Sequence, residues 1–277
     1  MKQNAIAFLI ASIFLQSCFR FAYYVSPFDT NNNTYHAIPL RSDSVKSALL
    51  VSGSFFSGIT NELGERDGIY DFRTNIYRTH NIGFFELYYG LDLTLGNYAV
   101  NKYDSFGNSH TVNYTIINKN AGSKFFGGVG LNGGFDFAIP LGKSEWRIGL
   151  EFSEQNEFGN YLKFRKELSD SAATFIARDP SFVTISWTSE FAFRTKYGSW
   201  GLKLASGKVL NGAYQQLNQS INQGSESFYN MSFAFQYTNK RFTGFIMESI
   251  SPLTLSIQLG CIYQILKNKK IVRTILY

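Results

Sequence analysis

Three histidines, His36, His80 and His110, are the side chains of this sequence best suited to proton transfer near neutral pH. Asp104 and Ser109 flank His110. A hydrolytic centre there would need the serine as nucleophile, the imidazole as base and the carboxylate to orient the ring. Neighbours in sequence need not face one another, however, and a solvated loop accounts for His110 with fewer assumptions. No H-E-x-x-H, no G-x-S-x-G and no metal-binding cysteine pair accompanies it. Gly128-Val129-Gly130-Leu131-Asn132-Gly133 fits G-x-G-x-x-G. A dinucleotide site requires those glycines at a strand-to-helix turn, where backbone N–H groups hold a pyrophosphate. Here they lie inside an alternating run with another strand after it, so they serve to let crowded side chains pass and a sheet curve. No catalytic residue, no metal and no cofactor is expected.

The remaining chemistry is charge. Glu86, Asp92, Lys124, Asp136, Arg147, Glu151, Glu190, Arg194 and Lys203 all occupy the polar positions of alternating runs. Both signs are present in similar numbers. On an enclosed face such groups must pair, because an unpaired buried charge is costly. Arg147 with Glu151, and Glu190 with Arg194, are each four apart on neighbouring segments, which suggests two opposite-sign contacts between them. A structural salt-bridge plug is the first reading of this set, and a selectivity lining for a small pore is the second.

The elements that position these residues have a period of two. Leu253, Leu255, Ile257, Leu259, Cys261, Tyr263 and Ile265 share one face, opposed by Thr254, Ser256, Gln258, Gly260 and Gln264, with Ile262 the one exception. Phe85, Leu87, Tyr89, Leu91, Leu93 and Leu95 oppose Glu86, Asp92 and Thr94 in the same way. Such alternation marks strands with two different environments. Many runs exceed the five or six residues usual in globular strands and suit a tilted membrane crossing. Aromatic residues gather near strand ends, as at Trp146, Trp200, Tyr237 and Tyr263. Short and long links alternate. The expected fold is all-β: a closed antiparallel up-and-down transmembrane β-barrel over 46–266. Ten strands are expected, or eight if the second and ninth segments, the weakest, are not strands.

Composition agrees. Aromatics make up 17% of 277 residues, with 27 Phe and 17 Tyr, and only 17% is charged. That balance disfavours a cytoplasmic α/β enzyme. The net charge of +6 is a mild excess, and no nucleic-acid partner is expected.

Residues 1–17 read as a signal peptide, with Lys2 ahead of the apolar run Ala5–Leu15, which is too short to span a bilayer. The run ends in Leu15-Gln16-Ser17-Cys18. This resembles the bacterial lipobox, although Gln16 is an unusual choice at its place. The resemblance implies cleavage before Cys18 and acylation of that residue. Lipidation would leave Cys261 as the remaining cysteine, so no disulfide is expected. Residues 18–45 are then a lipidated tether. The absence of an acidic cluster after Cys18 leans toward an anchor in the periplasmic leaflet. Residues 267–277 form a basic tail with Lys267, Lys269, Lys270 and Arg273.

The whole is similar to small outer-membrane β-barrels of Gram-negative bacteria and, in its lipobox-plus-barrel arrangement, to barrel lipoproteins of the Bacteroidota. The resemblance is architectural. It implies a bacterial outer-membrane, lipid-anchored location and contact with outer-membrane lipid. An envelope protein partner would meet the outer loops or the basic tail. Three functions follow: a structural or partner-binding barrel lipoprotein with a charge-plugged lumen, a narrow small-solute channel, or a rim-sited hydrolase of the omptin-like or lipid-deacylase kind.

Overall fold

Successive side chains of a strand face opposite ways, so the apolar and polar sets above must line opposite surfaces of any sheet they build. A computed structural model describes residues 23–30, 34–40, 45–60, 66–102, 113–173, 175–210, 230–251 and 253–269. It closes ten strands into one barrel. They are β1 Val45–Thr60, β2 Asp67–Ile82, β3 Phe85–Val100, β4 Gly122–Leu141, β5 Ser144–Phe158, β6 Ser181–Arg194, β7 Ser199–Val209, β8 Asn230–Asn239, β9 Phe242–Ile250 and β10 Thr254–Lys269. Each pairs antiparallel with its sequence neighbours, and β10 pairs with β1 to close the ring. The second and ninth strands are complete, with 16 and nine residues, which excludes the eight-strand alternative.

Tight turns at 83–84, 142–143, 195–198 and 240–241 lie at one end of the barrel. The links 61–66, 101–121, 159–180, 210–229 and 251–253 lie at the other. Val45 and Lys269 pair at the tight-turn end, so the barrel starts and stops on that side. Exposed Phe55, Leu91, Leu93, Trp187, Ile257 and Leu259 coat the exterior, while Thr94, Ser186, Ser256 and Gln258 are buried inside. A 16-residue strand tilted as barrels require rises about 40 Å, enough for an apolar band of about 25 Å with overhang at both rims. Cys261 is exposed on this outer surface.

Two details of β10 depart from perfect alternation. Leu253, grouped by its spacing with the outward residues, is buried in the 251–253 link. Two register shifts interrupt the β10–β1 ladder, leaving Ile265 as an extra residue on β10 and Lys46 as one on β1, and Ile265 and Leu266 both end up outside. Ile262, the apolar exception on the polar face, points inward and is buried.

Short helices decorate the ends: α1 Pro27–Thr30, α2 Tyr114–Lys119 and α3 Asn160–Glu167. Asn113 caps α2 by accepting the Ile116 N–H at 3.3 Å. Gly159 precedes α3 with φ of 115°, and a Cβ there would lie 2.8 Å from the Phe125 carbonyl oxygen. Only glycine fits that corner.

Candidate functional site

The lumen is filled by the protein's own N-terminal segment. Residues 23–30 and 34–40, expected within an external tether over 18–45, run inside the barrel, and Tyr24, Phe28 and Tyr35 are all at most 1% exposed. The physical reason is visible in the composition. Tyr23, Tyr24, Phe28 and Tyr35 give this stretch more ring surface than a solvated linker tolerates. Burying each ring is worth about 1.5–3 kcal/mol. Inward-facing apolar residues of the wall, including Phe56, Tyr77, Tyr88, Phe126, Phe182, Phe245 and Ile262, form the matching surface.

At the tight-turn end the contact is made by charge. Arg147 of β5 is fully buried. Its Nε lies 2.8 Å from Glu86 Oε2, its Nη2 2.7 Å from Glu145 Oε1 and its Nη1 3.5 Å from Glu190 Oε2. The same guanidinium donates to the carbonyl of Ile38 at 3.1 Å and of Pro39 at 3.4 Å. Residues 34–40 have no regular structure, so their carbonyls need partners from elsewhere. Tyr77 supplies another by donating to the Ala37 carbonyl at 3.0 Å, and Tyr35 donates to Glu190 at 3.3 Å.

Half-way along, His36 stacks on Tyr88 at 4.6 Å and meets Tyr77 edge-on at 5.0 Å. Its Nε2 is 3.2 Å from the Asn75 side-chain nitrogen. Asn75 and Asn132 both donate to Asp92, and Lys203 pairs with Glu151. Thr188 donates to Asp136 at 3.2 Å. The space left beside His36, Asp92, Asn132 and Glu151 is small.

At the long-link end the contact is made by rings. Phe28 packs edge-on against Phe126 at 5.8 Å, and Tyr24 against Phe164 of α3 at 5.4 Å. Tyr161 stacks on Tyr98 at 4.0 Å and donates to the Val25 carbonyl at 3.0 Å. Tyr23–Tyr24 pairs in parallel with Phe175–Ile176 of the 159–180 link, and the Ala177 N–H donates to the Tyr24 carbonyl at 2.9 Å. Arg165, fully buried, pairs with Glu157 and donates to the Ala177 carbonyl.

The geometry divides the nine charged residues. Glu86, Asp92, Asp136, Arg147, Glu190 and Lys203 are buried in the lumen, and Glu151 is nearly so. Lys124 is half-buried near the long-link end, with Nζ 4.6 Å from the Phe164 ring centroid. Arg194 is exposed at the tight-turn end. The double contact between Arg147–Glu151 and Glu190–Arg194 does not form. Arg147 faces Glu190 across the β5–β6 ladder, and Glu151 faces Ser186. In an antiparallel pair, moving four residues forward on both strands goes toward opposite rims. Glu151 and Arg194 therefore diverge, and Lys203 takes the place expected of Arg194. Glu145, absent from the expected set, joins instead. Its signal was its place two before Arg147 on the same face.

The expected balance of sign is corrected with it. Around the tight-turn half and the middle, Glu86, Asp92, Asp136, Glu145, Glu151 and Glu190 surround two permanent cations, Arg147 and Lys203. The histidines separate too. His36 is buried in the lumen. His80, expected in a turn, is on β2 against Tyr89 at 5.7 Å. His110 and its neighbours Asp104 and Ser109 lie outside the described residues, as do the expected signal peptide 1–17, Cys18 and residues 270–277 of the basic tail. Gly128 and Gly130 sit within β4, not at a strand-to-helix turn. A Cβ on Gly128 would lie 2.3 Å from the Phe28 ring, and one on Gly130 2.2 Å from the Glu154 carbonyl oxygen. The glycines of the G-x-G-x-x-G run thus make room for the inserted segment and the wall.

The sequence matches no protein-family profile and no curated protein. Solved structures similar to the chain include an outer-membrane channel from Pseudomonas putida F1, at 8% identity and a TM-score of 0.36 over 83% of this chain and 97% of that one. The β domain of the Bordetella autotransporter BrkA aligns at 10% identity and 0.39, over 79% and 99%. Neisserial surface protein A aligns at 8% and 0.31, over 79% and 97%. The chain is a closed ten-stranded antiparallel β-barrel with an apolar exterior, and its own N-terminal residues 23–30 and 34–40 lie inside the lumen.

Proposed function

We propose that this chain is a lipid-anchored barrel of a Gram-negative outer membrane, with a structural or partner-binding role and a permanently closed lumen. The observation that carries the reading is the insertion of residues 23–30 and 34–40 along the barrel, held by Arg147 at one end and by rings at the other. A channel that opens freely has no use for a fully buried guanidinium bonded to the backbone of its own plug. The apolar exterior supports a membrane location, and the lipobox-like Leu15–Cys18 supports an anchor. The partner would be an envelope protein that meets the long links, chiefly 101–121, 159–180 and 210–229.

The test is conductance. The purified protein in planar bilayers is expected to show no stable current at neutral pH, since the lumen holds little space. Steady channels from the unmodified protein would overturn the closed-lumen reading. One observation favours a second reading. Among the described residues of the barrel and its links, nine buried or nearly buried carboxylates against four cations, Arg73, Arg147, Arg165 and Lys203, would make any pathway opened by displacing the segment prefer cations. A voltage-gated, cation-selective current from the unmodified protein would promote that reading over the first.

A further inference from the structure

The inserted segment has a direction, and the direction decides on which side the chain ahead of it emerges. β1 starts at Val45 on the tight-turn rim. Toward the N-terminus, Ile38 and Pro39 lie beside Arg147, and His36 lies beside Asn75 at mid-lumen. Phe28 packs on Phe126, near the start of β4 at the long-link end. Tyr23 is higher still. Its hydroxyl donates to the Leu253 carbonyl at 2.7 Å in the 251–253 link, and its backbone pairs with Phe175 in the 159–180 link. Thr60, at the long-link end of β1, donates to that same carbonyl at 2.7 Å. Over 23–45 the chain therefore crosses the full height of the barrel, from the long-link rim to the tight-turn rim.

We infer that the segment enters the barrel from the long-link rim, so that the chain preceding Tyr23 is on that side of the membrane. Outer-membrane barrels turn their long loops to the exterior and their tight turns to the periplasm, so this is the outer side. The barrel's two strand ends are both periplasmic, yet the segment's N-terminal end is on the outside. Reach fixes the consequence for Cys18. Cys18 is five positions ahead of Tyr23, and a fully extended chain covers at most about 18 Å over those five steps. The barrel wall rises about 40 Å, so no path returns Cys18 to the periplasmic rim. Acyl chains on Cys18, which rest on the proposed anchor, would sit in the outer leaflet. That reverses the lean toward the periplasmic leaflet drawn from the missing acidic cluster. A lumen this full cannot pass acyl chains once closed, so the barrel must form around the segment.

Cysteine labelling in intact cells tests the exit. In a Cys261→Ser parent, single reporters are placed at Ala22→Cys, at Lys166→Cys in the long-link α3, and at Lys143→Cys in a tight turn. Phe21→Cys serves as a second reporter should Ala22→Cys assemble poorly. The probe is a maleimide on a polymer too large to cross the outer membrane. Ala22→Cys is expected to label as fully as Lys166→Cys in intact cells, while Lys143→Cys labels only after permeabilisation. Labelling of Ala22→Cys only alongside Lys143→Cys would overturn the inference. Incorporation of labelled fatty acid, with Cys18→Ala as control, reads the anchor separately. Exterior labelling without fatty acid leaves the exit standing and removes the anchor. Fatty acid with periplasmic labelling leaves the anchor and removes the exit. If Cys18 in the parent itself reacts, its side reports the exit directly and denies the lipid.

Discussion

The two halves of the lumen hold the same inserted segment by different means. In the tight-turn half, a single guanidinium bridges three carboxylates and two backbone carbonyls of the segment. In the long-link half, Phe28, Tyr24 and the rings of Phe126, Tyr161 and Phe164 pack the segment, while the buried pairs Arg165–Glu157 and Arg73–Asp71 brace the links and the wall. The difference follows from what each half must satisfy. Residues 34–40 are irregular and expose carbonyls that only donors can quiet, whereas 23–24 pair with a strand and present mainly rings. Charge therefore fixes the position of the plug, and rings fix its fit.

The largest expected effect follows from cutting the charged half. Arg147→Met keeps the length of the side chain but removes the cation that sits among the buried carboxylates of Glu86, Glu145 and Glu190. Removing one side of a buried ion pair costs about 3–5 kcal/mol. The variant is expected to lose heat-resistant folding on gels and to unfold at markedly lower temperature in detergent. Adding Glu86→Gln and Glu190→Gln should restore part of the loss, because neutral amides no longer demand a cation. Unchanged stability of Arg147→Met would mean that the charged half does not hold the plug.

Cutting the ring half should cost less and act locally. Phe28→Ala removes a buried ring that packs on Phe126, while the wall behind it is Gly128, which offers few atoms to lose. The expected loss is about 3 kcal/mol, the low end for a truncated buried aromatic. Loosening should appear as faster protease cleavage in the 159–180 link, with the strands still protected. If Phe28→Ala destabilises the whole barrel as much as Arg147→Met, the division between the halves fails.

How much of this was legible in the sequence differs between wall and plug. The strands were legible because alternation is local: Leu87 to Leu95 carry their facing in their own spacing. Even β2 and β9, the weakest segments by alternation, were recoverable from the rhythm of short and long links. The threaded segment was not, because residues 34–40 have no period and their partners, Arg147, Asn81 and Tyr77, lie 40 to more than 100 positions away. Two signals pointed to it. One was the run of rings from Tyr23 to Tyr35. The other was the set of apolar residues on the polar face, Phe56, Phe126, Phe182 and Ile262, which a water-filled lumen would not carry. The charged network was half legible for a related reason. Facing comes from one strand alone, but pairing depends on register between strands, and register is set by the whole ladder.

Arg194 sharpens that last distinction, and its expected effect is the smallest. By alternation it belongs with Glu190, on the same strand and four residues along. Register carries it past the last lumen contacts to the tight-turn rim, where it is exposed and its backbone N–H donates to the Lys143 carbonyl at 3.0 Å. An exposed cation at a rim is screened by water and salt, and removing it costs about 0–1 kcal/mol. Arg194→Ala is therefore expected to unfold within a degree or two of the unmodified protein, while Arg147→Met is severely destabilised. The double variant should match Arg147→Met alone to within that amount, because Arg194 is exposed at the rim while Arg147 is fully buried in the lumen. A large loss from Arg194→Ala, or strong coupling between the two, would put Arg194 inside the network and require a β5–β6 register different from the one that sets Arg147 opposite Glu190.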